Sequence, residues 1–168
     1  YLTDALRLGS IRSIRESVRR FLVTFEKEST LNQEIHEYVP ELELLMPSII
    51  QRYKMIDTGL PSVTLNEKEI AAERELIKFY LDTQDTGMAL RLAREYVINV
   101  LLYKEGLADF VFDKDKREEV SRFLDESDSL RKARNHIAHF GFNDLDNLTD
   151  VNTIAEHLKK LIDTDIDE

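Results

Sequence analysis

The sequence predicts an all-α protein, a bundle of five to eight helices. Three observations carry this. The 168 residues include only 3 Pro and 5 Gly, so few positions break a helix. Apolar residues recur at steps of three and four over most of the chain. No stretch alternates apolar and polar residues as a half-buried strand would.

The elements follow in order. Residues 10–28 predict a helix with one apolar stripe, Ile11, Ile14, Val18, Phe21, Leu22 and Phe25, and Gly9–Ser10 marks the break before it. Arg12, Arg15 and Arg19 share a second face that could contact RNA or a partner's phosphates but is expected to be solvated, with Glu16 pairing locally. Thr30 and Gln33 have capping-box spacing and open the next helix. Pro40 and Pro47 are expected to bend or divide the run from 31 to 56. Residues 57–65 (DTGLPSVTL) form the clearest loop and the best place for a flexible insertion.

Asn66 with Glu69 caps a helix to about Leu81. Asp85 caps a long helix over 86–105, and Gly106 stops it. Its stripe of Ala89, Leu92, Ala93, Tyr96, Val97, Val100 and Leu101 is widened by Leu90, Ile98 and Leu102, which predicts a central position. Residues 115–125 form a short helix. Ser127 or Asp128 caps the next, with Leu130, Ala133 and Ile137 inward and Gly141 past its end. Residues 143–150 are an acidic loop, 151–162 a final helix on Ile154, Leu158 and Leu161, and 163–168 an acidic tail. Phe21, Phe25, Tyr96 and Phe123 sit at core spacing.

Composition limits the function. With 42% apolar and 33% charged residues, the chain has the makings of one folded domain over 1–168. It has no Cys, which excludes disulfides and thiolate metal sites, and no apolar run long enough for a membrane span. No secretory signal opens it, so a cytoplasmic location is expected. The net charge of −10 argues against strong non-specific nucleic-acid binding, but not against a local basic site. Tyr1 begins inside a helical pattern, from which we expect a C-terminal fragment of something longer.

The chemistry concentrates in Leu130–Gly141, LRKARNHIAHFG. Asn135 and His139 are four apart and share a helix face. Arg134 and His139 are five apart, about 140° around a straight helix. Reach of the Arg side chain, an unwound last turn or a two-fold dimer axis would bring them to one cleft. An Arg, an Asn and a His suit RNA cleavage. The ribose 2′-OH is an internal nucleophile, His moves protons near neutral pH, and Arg offsets charge on the phosphorane. Arg131 and Lys132 add positive charge that would draw a phosphate. His136 and His139 are three apart and could ligate a metal, but His36 and His157 supply no recognisable further ligands, so neither metal nor cofactor is expected. The plain alternative is a solvated helix end whose His complements the helix dipole.

Arg134-Asn135, four intervening residues and His139, then Phe140-Gly141-Phe142, resembles the motif of HEPN ribonucleases. The resemblance implies that Arg134 and His139 are catalytic, that Asn135 orients the site, and that His136 occupies a variable position beside the RNA, with Arg131 and Lys132. The segment looks most similar to the C-terminal effector domain of CRISPR-associated CARF–HEPN ribonucleases. That likeness implies a homodimer cutting single-stranded RNA without metal, activated by cyclic oligoadenylate through a Rossmann-like sensor domain. No βαβ pattern or glycine fingerprint for such a domain occurs in this chain. A HEPN toxin of a toxin–antitoxin pair and a non-catalytic helical interaction module are the other readings.

Overall fold

A computed structural model describes residues 2–27, 29–60, 63–125, 155–156, 158–160 and 162. Among them are seven α-helices, one short 3-10 helix and no strand, so the chain is all-α as its sequence predicts. No described helix is long and apolar enough to cross a membrane. The chain packs as two compact units, 1–63 and 64–168, and they divide within the loop that the Gly- and Pro-containing sequence marks.

The first unit holds α1 (Leu2–Leu8), α2 (Ile11–Lys27), α3 (Ser29–Tyr38) and α4 (Pro40–Ile56). Gly9 ends α1 with φ 64°, a conformation glycine adopts without steric cost, and donates its N–H to the Ala5 carbonyl at 3.0 Å. The Ser10 hydroxyl accepts from the Ser13 N–H at 3.4 Å. Ile14, Val18 and Leu22 of α2 are buried, while Phe21 and Phe25 are half-buried. The Phe21 ring packs against Phe25 and edge-on to Tyr53 of α4, with centroids 4.7 and 5.1 Å apart.

The arginine face of α2 is only partly solvated. Arg12 is exposed and Arg19 half-buried, but Arg15 is 7% exposed, and its guanidinium donates to the carbonyl of Ile56. Ile56 is the last residue of α4, where the carbonyls lack helical partners and the dipole favours a cation. Arg15 therefore caps a neighbouring helix, which its position beside Arg12 and Arg19 does not reveal. Glu16 pairs with Arg20 at 2.7 Å, one turn along the exposed surface.

Helix α3 begins at Ser29, which puts Thr30 inside it, within the usual uncertainty of a cap read from spacing. Pro40 is the first residue of α4, where its missing N–H costs nothing. Pro47 lies inside α4 without ending it. Its side chain is exposed, so solvent can reach the carbonyl that loses its donor. In the following loop, Asp57 Oδ1 accepts from the N–H of Gly59, which has φ 73°.

The second unit holds α5 (Glu67–Asp82), α6 (Thr86–Lys104), the 3-10 helix Ala108–Phe110 and α7 (Lys114–Asp125). The expected caps form. Asn66 Oδ1 accepts from the Glu69 N–H and Asp85 Oδ1 from the Met88 N–H, each at 3.0 Å. Asp113 does the same for Lys116 at the start of α7. A three-residue turn folds α6 back along α5, and these two helices form the main packed pair of the unit. Their interface buries Ile70, Leu76, Ile77 and Tyr80 against Ala89, Leu92, Ala93, Tyr96 and Leu102. Val97, Val100 and Leu101 are half-buried, while Leu90, Ile98 and Leu102 are buried along with Ala89, Leu92, Ala93 and Tyr96 of the predicted stripe. Leu158 and Ile162, four apart, are fully buried. Ile154 and Leu161 of the predicted final stripe lie outside the described residues, as does the side chain of Phe123.

Candidate functional site

Residues Arg131, Lys132, Arg134, Asn135, His136 and His139 all lie outside the described residues, together with the predicted helix that carries them and the loop 143–150. The described part of the second unit runs up to this segment, since α7 ends at Asp125.

A buried polar network that sequence reasoning missed joins α5, α6 and α7. Asn99 is 4% exposed in the middle of α6. Its amide group donates to both carboxylate oxygens of Glu73 on α5, at 2.8 and 3.0 Å, and Glu73 is fully buried. Asn99 Oδ1 accepts from Arg117 of α7 at 2.7 Å. The same guanidinium donates to the Val111 carbonyl at 2.9 Å and to Glu95 at 2.6 Å. Arg94 reaches the other Glu95 oxygen at 2.8 Å and the buried hydroxyl of Ser121 on α7 at 2.6 Å. Asn99 thus joins Arg117 of α7 to the buried carboxyl group of Glu73 on α5, supplying the hydrogen bonds that a buried polar group requires. Glu69, one turn before Glu73 on the same face, is also fully buried.

One signal could have found this network. Asn99 interrupts the apolar run from Val97 to Leu102 in a helix predicted to be central, and a polar residue there must have partners. Nothing in the sequence identifies Glu73 and Arg117 as those partners.

The network is built for holding rather than reacting. It is closed to solvent at Glu73 and Asn99, and its side chains hydrogen-bond one another. The buried phenols are no better placed for acid–base work at neutral pH. Burial, helped by the charge of Asp85, pushes Tyr80 up to about 12, and burial likewise raises Tyr96. Of the four histidines only His36 is described. It sits on α3, exposed, and its Nδ1 lies 2.7 Å from Glu43 Oε2 on α4. That hydrogen bond, with the carboxylate charge behind it, raises the imidazole above its ordinary value. His36 thus bridges two helices. No group of three or more His, Asp or Glu among the described residues is arranged to hold a metal ion.

No family model, curated protein or solved structure matches the chain.

Proposed function

We propose that this chain is a metal-independent endoribonuclease of the HEPN type that cuts single-stranded RNA as a homodimer. The observation that carries the proposal is the constellation Arg134-Asn135, four residues, His139, on a predicted helix that ends at Gly141. The all-α architecture and the buried α5–α6 pair are compatible with it.

In this mechanism two copies of the segment meet across a two-fold axis. The neutral His139 of one protomer takes the proton of the ribose 2′-OH, and the 2′-oxygen attacks phosphorus. The protonated His139 of the other protomer gives its proton to the 5′-oxygen as the P–O5′ bond breaks. The products are a 2′,3′-cyclic phosphate and a 5′-hydroxyl. Arg134 offsets the charge gained by the phosphorane, which a planar fork does better than a point charge. Asn135 orients the site, while Arg131, Lys132 and His136 hold the RNA backbone.

The same resemblance extends the proposal to a biological setting. The chain is the cytoplasmic effector part of a type III CRISPR defence protein, switched on when a separate sensor domain binds cyclic oligoadenylate.

The test is cleavage of an end-labelled single-stranded RNA in excess EDTA. The expected result is undiminished cutting with 2′,3′-cyclic phosphate and 5′-hydroxyl ends. Cutting that stops in EDTA and returns with Mg²⁺, or that leaves 5′-phosphate ends, would overturn the proposal.

A further inference from the structure

Helix α4 is apolar on two sides. Its inner side buries Met46 and Ile56. Its outer side carries Leu44 at 81% and Leu45 at 58% exposure, and the elbow that joins it to α3 exposes Tyr38 at 73% and Val39 at 46%. Scattered single apolar residues on a surface mean little. Four large ones within eight residues, around one helix junction, form a patch that water covers poorly.

The charge around this patch is predominantly negative. Glu34, Glu37 and Glu41 are exposed on the two helices, and Glu43, also exposed, is taken up by His36, the one basic group at the junction. No Lys or Arg occurs in the 24 residues from 28 to 51, whereas 23 in 168 corresponds to about three in a stretch of that length. The inner ends of the elbow are fixed by buried Ile35 and Met46 and by the His36–Glu43 bridge, so the outer face is presented on a set backbone.

We infer that the α3–α4 elbow and the outer face of α4 form a docking surface for a basic amphipathic helix of a protein partner. Apolar residues of that helix would cover Leu44, Leu45 and Tyr38, and its Lys and Arg would face Glu37 and Glu41. A second copy of this chain is a poor occupant, because pairing the surface with itself brings two sets of glutamates together. The inference is independent of the ribonuclease proposal.

The experiment uses the whole chain, which contains no Trp, so a single Trp in a peptide reads binding without background. The probe is a designed Leu/Lys amphipathic helix of about 18 residues, or five turns. The expected result is a saturable blue shift of the peptide Trp. The pair Leu44→Ser/Leu45→Ser is expected to weaken binding at least ~10-fold, the loss of one interface anchor. Both leucines are exposed, so far-UV circular dichroism should not change. Glu37→Gln/Glu41→Gln should weaken binding and flatten its salt dependence. Phe112→Ser, an exposed apolar residue of the other unit, should do neither. Three results would overturn the inference. One is equal affinity for the leucine pair variant. Another is equal binding of a peptide with Glu in place of Lys. The third is a dimer, seen by sedimentation, that Leu44→Ser/Leu45→Ser splits into monomers.

Discussion

Replacing His139 by Ala is expected to slow cleavage of single-stranded RNA at least ~100-fold, the low end of what a positioned acid–base group contributes. Stability should change little. A histidine that only complements a helix dipole is worth ~0.3–1 kcal/mol, and its removal would lower the melting temperature slightly while leaving any cleavage untouched. The two roles thus predict opposite patterns, one in rate and one in stability. Single-turnover cleavage and thermal melts on the same preparation separate them. Cutting by His139→Ala at the wild-type rate would remove this residue from the chemistry.

Replacing Asn99 by Leu is expected to lower the stability of the second unit by ~3 kcal/mol or more. The substitution keeps most of the volume but takes two donors from the buried carboxylate of Glu73 and an acceptor from Arg117. Each buried hydrogen-bond partner removed costs ~1–3 kcal/mol, and partners of charged groups such as Arg117 sit at the upper end. Arg117 keeps its bonds to Glu95 and the Val111 carbonyl, which limits the loss on its side. Urea unfolding monitored by circular dichroism measures the effect as a fall in midpoint at constant slope. A loss below ~1 kcal/mol would mean that the network is not what secures α7 to α6.

The fold was legible because its signals are local. Asn66, Asp85 and Gly106 are stop and start residues whose chemistry acts within one helical turn, and all three lie at the ends their spacing predicts. The central place of α6 also followed from composition, since a helix apolar around most of its circumference has to be covered. What escaped were long-range pairings. Arg15 looks like one member of a solvated arginine face, and only the end of α4, some forty residues on, turns it into a buried cap. Glu73 sits among charged neighbours on α5, and its hydrogen bonds from Asn99 across the interface cannot be read from them. The prolines act as local signals of unequal strength: the run from 31 to 56 divides at Pro40, while α4 continues through Pro47. The candidate site rests on residue types and their spacing alone, since its members lie outside the described residues.

The most direct test of the composite site is subunit mixing. Wild-type and His139→Ala chains are unfolded together in equal amounts, refolded so that protomers pair at random, and assayed on single-stranded RNA. A site that needs a histidine from each protomer leaves about one quarter of the wild-type rate, because only that fraction of dimers carries two intact copies. A rate of one half, the value for protomers that each cut alone, would contradict a site shared across the dimer axis.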